Sequence, residues 1–191
     1  MKAKFILLLL FPLAGMAQSK SSKEKVSYSG SYMLGIIAGK AYTTFSGQII
    51  QGIQYKNYTA GIGVAIDPYA FRTIPLFAHI SYAFKPAKNS VYTYVDGGIS
   101  IPWNTDALPV KYPNTDNDWH KLHSGLYAET GIGYRIALNK RNALLITMGY
   151  SFKRFKYDEM TTIWNGSAVN KQTDKYTFDY NRLTFRLGFS L

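Results

Sequence analysis

The chain has 191 residues, a formal charge of +11, no cysteine, and 47% hydrophobic and 16% aromatic residues. The length fits one domain, and the hydrophobic and aromatic content excludes a disordered chain. The absence of cysteine excludes a disulfide scaffold, a thiolate metal site, a cysteine nucleophile and a lipid-anchored N-terminal cysteine. The charge invites a nucleic-acid reading that depends on where the lysines and arginines sit.

Lys2 and Lys4 precede an apolar run from Phe5 to Leu13, and Gly15 and Ala17 stand at the spacing a signal peptidase accepts. This is the pattern of a secretory signal over residues 1–17. The run is about half the roughly 20 residues of a spanning helix. Cleavage after Ala17 would remove both lysines, lower the charge from +11 to +9, and export the chain, which weakens a nucleic-acid role. Residues 18–25 (QSKSSKEK) are an unpatterned polar lead-in. Residues 26–191 form the folded domain.

From there apolar residues alternate with small or polar ones at a period of two, the signature of strands. The pattern predicts eight strands, near 26–38, 44–55, 58–66, 73–84, 91–102, 121–138, 143–155 and 177–191. In the sixth, Leu122, Leu126, Ala128, Ile132, Tyr134, Ile136 and Leu138 share one parity. In the last, Leu183, Phe185, Leu187, Phe189 and Leu191 do so, with Arg182, Thr184, Arg186, Gly188 and Ser190 opposite. Links at 56–57, 85–90 and 139–142 are short and carry turn residues, while 103–120 and 156–176 read as long loops. In an up-and-down meander the three short links fall at one end and both long ones at the other. Short periplasmic turns and long external loops are the asymmetry of outer-membrane barrels.

The two strand faces differ in kind. Taking the apolar parity as outward, Gly35, Gly52, Gly61, Gly63, Gly98, Gly125, Gly131, Gly133, Gly149 and Gly188 point inward, and only Gly30, Gly47 and Gly97 outward. The strand charges Lys85, Asp96, Glu129, Arg135, Lys153, Arg182 and Arg186 share the glycine-rich face. Small residues suit a crowded barrel interior, and a mid-depth Arg or Lys facing lipid costs about 2–4 kcal/mol. Outward aromatics gather toward the ends: Tyr55, Tyr58, Tyr82, Phe84, Tyr134 and Phe189 at one, Phe45, Trp103 and Phe152 at the other. That is the layout of interfacial girdles. The expected fold is all-β: an eight-stranded antiparallel up-and-down transmembrane β-barrel in the cell outer membrane. A soluble periplasmic barrel holding a hydrophobic ligand is the alternative with the faces exchanged.

The stretch GIGVAIDPYAFRTIPLFAHISYAF (Gly61 to Phe84) and the closing RLTFRLGFSL (Arg182 to Leu191), behind the signal segment, resemble small outer-membrane β-barrel proteins of Bacteroidota. The architecture is similar to the OmpA/OmpX type of barrel. The resemblance covers essentially the whole of 18–191 and implies a porin-like envelope protein without an assigned activity. It also implies that the C-terminal strand is read by the barrel assembly machinery. Such barrels usually end on an aromatic residue; here Leu191 is last and Phe189 stands two before it.

No constellation calls for catalysis, a cofactor or a metal. Asp96, Glu129, Arg135, Arg182 and Arg186 are expected to form an ion-pair network plugging a polar lumen, because buried charges must be paired. A proton or small-ion path through them is the functional alternative. Histidines stand at 79, 120 and 123; His120 and His123 lack a third ligand. His123, Ser124 and Glu129 invite comparison with lipid A deacylase barrels, a lipid-modifying acyl hydrolase or transferase role. Ser124 has the opposite parity, however, and Glu129 lies about 20 Å along the strand from His123. The long links carry Trp103, Trp119 and Trp164 among Asn, Asp and Pro, candidates for loop contacts with a ligand or with lipopolysaccharide. The role expected is structural, or one of surface interaction through 103–120 and 156–176, with outer-membrane lipid, lipopolysaccharide and the assembly machinery as partners.

Overall fold

The computed structural model describes residues 26–84, 89–103, 120–139, 142–164 and 169–191. The signal segment 1–17, the lead-in 18–25, Lys85, Lys88, Lys140, Arg141 and most of the 103–120 link, Trp119 included, lie outside them.

The described residues form nine strand segments: β1 (Ser27–Gly39), β2 (Thr43–Tyr55), β3 (Tyr58–Ile66), β4 (Thr73–Ala83), β5 (Asn89–Pro102), β6 (His120–His123), β7 (Gly125–Ala137), β8 (Ala143–Trp164) and β9 (Val169–Ser190). Each pairs antiparallel with its neighbour, and β9 pairs with both β8 and β1, so the sheet closes. β6 and β7 both lie along β8, so the barrel has eight staves. The closing seam runs from Ser31↔Ser190 to Gly39↔Arg182, and Gly30 and Leu191 exchange backbone hydrogen bonds of 3.3 and 2.9 Å beyond it. Closure leaves no edge within the barrel wall, the condition a sheet must meet in an apolar medium.

The period of two decides the faces. Met33, Ile37, Ile50, Phe77, Tyr94, Tyr127 and Leu145 are buried inside, and Leu34, Ile62, Ile80 and Leu183 are 60–68% exposed outside. Glycine makes the interior fit. Gly131 and Gly149 are cross-strand partners, and the hydroxyl of Tyr94 lies over both. A Cβ at Gly131 would sit 2.7 Å from Tyr94 Oη and 2.7 Å from Gly149 Cα. Gly149→Val must therefore displace Tyr94; overpacking of this kind costs about 1–3 kcal/mol. The expected result is a lower urea midpoint of the refolded protein than for Gly149→Ala, read by gel mobility.

In the long link at 156–176 the described residues, 156–164 and 169–176, are strand and not loop. β8 and β9 stay paired from Arg154↔Asp179 out to Trp164↔Val169, roughly 33 Å at about 3.3 Å per residue, with β6 alongside β8 as far as Glu159, so that only the outer part is a two-stranded ribbon. Trp164 is thus a strand residue at the ribbon tip. The ribbon is held by cross-strand side chains. On one face Tyr157 meets Tyr176 at 6.0 Å, and Tyr176, Phe178 and Tyr180 stack in series at 6.4 Å. On the other, Arg154 forks onto Asp179 at 2.7 and 2.8 Å. The stave expected at 121–138 is also interrupted, at Ser124, where the chain leaves the ladder between β6 and β7.

Candidate functional site

Three buried acid–base groups line the interior. Glu129 on β7 is the most heavily bonded. Its carboxylate accepts from Tyr94 Oη at 2.9 Å, Tyr127 Oη at 2.8 Å and Thr184 Oγ1 at 3.0 Å. Arg186 on β9 forks onto it, with Nη2 2.9 Å from Oε2. Arg186 Nε reaches Ser46 Oγ at 3.4 Å, which ties β9 across to β2. Both oxygens of the carboxylate are thus satisfied in a buried site, the condition for a buried ion pair to be tolerated.

Asp96 on β5 lies opposite Glu129 in the β5–β7 register. Two neighbouring buried carboxylates repel unless each finds its own donors. Asp96 finds His79, its partner on β4, with Nδ1 2.6 Å from Oδ1, and Gln48 Nε2 at 3.3 Å. The tier His79, Asp96, Glu129, Ser151, Arg182 is one unbroken cross-strand row through β4, β5, β7, β8 and β9.

The third group closes the mouth at the long-connection end. Arg182 does not pair with Asp96 or Glu129. It reaches Asp67, in the connection after β3, and donates to Ser151 Oγ at 2.8 Å. Lys153 on β8 lies 3.1 Å from the same Asp67 oxygen and donates to the Tyr69 carbonyl at 2.8 Å. The connection 67–72 therefore folds inward, from the β3–β4 wall to the opposite β8–β9 wall. Its turn is built by Asp67, which accepts from Tyr69 N at 3.0 Å, and by Ala70 in the left-handed region at φ 61°. Tyr69 is buried, stacked at 4.6 Å on Tyr42 and edge-on to Tyr180 at 5.8 Å. Phe71 packs against Phe155 at 6.0 Å.

Of the five residues expected to form one network, Glu129 and Arg186 are paired, Asp96 lies beside them with His79, and Arg182 belongs to the mouth. Arg135 is half-buried and makes no ion pair among the described residues. The residues missing from the expected network are Asp67, His79 and Lys153, the last of which the sequence places on the inward face without a partner. Lys153 and His79 have inward parity, which is a readable signal. Asp67 follows the last alternating residue of β3 and gives none. The interior is also not uniformly polar: Met33, Ile50, Ala65, Phe77, Tyr127 and Leu145 form an apolar cluster inside it. His123 bonds Asp158 at 2.9 Å, Ser124 is exposed and Glu129 is enclosed by Arg186, so the three do not converge. Trp103 is exposed at the end of β5.

No protein-family model matches the chain, and no curated protein matches it in sequence. Among solved structures it is similar to the solid-state NMR structure of the outer membrane protein AlkL in DMPC lipid bilayers. The two are 14% identical, with a TM-score of 0.43 over 92% of this chain and 94% of that chain.

Proposed function

We propose that the protein is an integral outer-membrane barrel without catalysis, whose interior is a stabilising plug and whose projecting parts make surface contacts. The observation that carries this is an inside-out distribution of polarity. Among the described residues no outward position of the barrel wall carries a charge, from Leu34 on β1 round to Leu187 on β9, whereas Lys153, Arg182, Arg186, Asp67, Asp96 and Glu129 are buried. Soluble monomers rarely expose apolar patches beyond a few hundred Å², and here the belt runs round the whole wall. Several polar residues in it turn their hydrogen-bonding groups onto neighbours, as an apolar medium favours. Gln51 Nε2 donates to Tyr32 Oη at 3.2 Å and its Oε1 accepts from Tyr28. Thr93 and Thr130 hydroxyls turn back onto backbone carbonyls at 3.0 and 3.1 Å. Arg154 and Asp179 are the first outward charges along the ribbon and mark where the belt ends.

A ring of aromatics stands at the short-turn end, with Tyr58 and Tyr82 at 4.9 Å and Tyr82 and Phe84 at 5.6 Å. It supports placing that end at the periplasmic interface, where a chain exported by a signal over 1–17 would insert. The small barrels of Bacteroidota and the OmpA/OmpX type remain the proposed kinship. The C-terminal strand, closed onto β1, suits recognition by the assembly machinery. The exposed rings of Tyr176 and Phe178, with Trp103 and the 103–120 link, suit contact with lipopolysaccharide or a surface ligand. The buried cations Lys153, Arg182 and Arg186 are matched by Asp67, Asp96 and Glu129, and the excess lysines and arginines are scattered over the lead-in, the turns and the links and not gathered on one face, which argues against a nucleic-acid face.

Cell fractionation with boiled and unboiled electrophoresis tests this reading. The protein is expected in the outer-membrane fraction, migrating faster unboiled. A soluble periplasmic product without a heat-dependent shift would establish the ligand-holding soluble barrel instead. Mass profiles of lipid A from cells with and without the protein are expected to be identical; a change in acyl number would establish the enzyme.

A further inference from the structure

We infer that the connection 67–72 is a charge-latched stopper, a separable element that seals the barrel mouth and is held there by one carboxylate shared between two wall cations. Three features carry this. The segment bridges opposite walls, leaving β3 and meeting β8 and β9 on the far side of the ring of staves. Its attachment to that far wall is concentrated in Asp67, Lys153 and Arg182, all at most 2% exposed. Lys153 also holds the loop backbone directly, through the Tyr69 carbonyl at 2.8 Å and the Phe71 carbonyl at 3.4 Å.

The remaining contacts are rings, Tyr69 on Tyr42 and Tyr180 and Phe71 on Phe155 and Phe178, with Arg182 over the Tyr69 ring at 5.6 Å. Three hydrogen bonds join them: Ala41 N to Tyr69 Oη at 3.2 Å, Ala70 N to Tyr42 Oη, and Trp103 N to the Arg72 carbonyl at 2.9 Å. The wall beneath is complete without the loop, because β3 and β4 pair directly from Tyr58↔Tyr82 to Val64↔Leu76. Asp67 and Thr73 pair their backbones at 3.0 and 2.9 Å, so this bridge is the hinge of a two-position element and the Asp67 carboxylate is its latch. In one position its charge is neutralised by Lys153 and Arg182; in the other the loop lies outside and the upper lumen is open. The pair Glu129 and Arg186 sits deeper and stays closed in both.

The chain has no cysteine, so a single reporter thiol reads the seal. Ser100 suits it: it points inward two residues below the end of β5, is fully buried, and its hydroxyl has no hydrogen-bond partner among the described residues. Ser100→Cys in the full chain, refolded in lipid vesicles, is treated with a charged, membrane-impermeant methanethiosulfonate. Labelling is expected to be slow. Adding Asp67→Asn is expected to speed it by about tenfold or more, since access scales exponentially with the lost latch energy. Asp67→Glu is expected to stay slow. Equal rates in the parent and a folded Asp67→Asn variant would overturn the latch. Should Asp67→Asn fail to give the folded gel form, Tyr69→Ala with Phe71→Ala keeps the charges paired and removes what fills the mouth. It must show the same acceleration, and an unchanged rate there overturns the stopper itself.

Discussion

Replacing Glu129 with alanine is expected to remove about 3–5 kcal/mol of stability, the usual cost of stranding one partner of a buried ion pair. Arg186 would remain enclosed with no counter-charge, and Tyr94, Tyr127 and Thr184 would each lose their acceptor. That loss is a large part of a typical total of about 5–15 kcal/mol, so the folded gel form should become scarce. The double replacement Glu129→Met with Arg186→Met separates pairing from mere occupancy. Because an apolar pair of similar volume carries no stranded charge, it should lose much less than the single variant. Urea midpoints of the wild type and the two variants measure this. A double variant as unstable as Glu129→Ala would mean that Arg186 contributes in some other way than by pairing.

The second large effect concerns the outside. Ile62 sits at the middle of β3, 68% exposed, with Gln51 and Ala78 as cross-strand neighbours. Ile62→Arg should cost about 2–4 kcal/mol if this surface meets the bilayer midplane. Moved outward along the same stave system, the cost should fall: an arginine in place of Tyr58, at the short-turn end, should cost at most about 1 kcal/mol. A water-exposed surface would tolerate both, usually within about 0.5 kcal/mol. Refolding yield into vesicles at increasing urea gives the comparison, and equal yields for the two variants would sink the depth dependence.

Much of this is legible in the sequence because a strand exposes its faces by parity alone. The alternation of Leu183 to Leu191 against Arg182 to Ser190 places Arg182 and Arg186 inside without any knowledge of their partners. Which partners they take is not legible, since pairing depends on the shear of the closed sheet. Arg182 reaches Asp67, 115 residues away, and Arg186 reaches Glu129, 57 residues away. Asp67 itself stands in DPYAF, a composition that reads as a surface turn, and only closure of the ring brings the turn over the lumen. The ribbon is hidden for a different reason. Residues 156–176 are rich in Asp, Asn, Thr and Lys, the usual material of loops, and only their ends keep the strand period, through Phe155 and Tyr157 on one side and Tyr176, Phe178 and Tyr180 on the other. Between those ends the alternation is lost, and the cross-strand pairing is not legible.

Contact of the outward face of the wall with acyl chains can be read at one residue. Val95 is 57% exposed near the middle of β5. In the cysteine-free chain, Val95→Cys carrying a small fluorophore should be quenched strongly by nitroxide placed deep in the lipid chains. Quenching by a water-soluble nitroxide should be weak. Strong quenching from water and none from the lipid chains would contradict a membrane-spanning barrel.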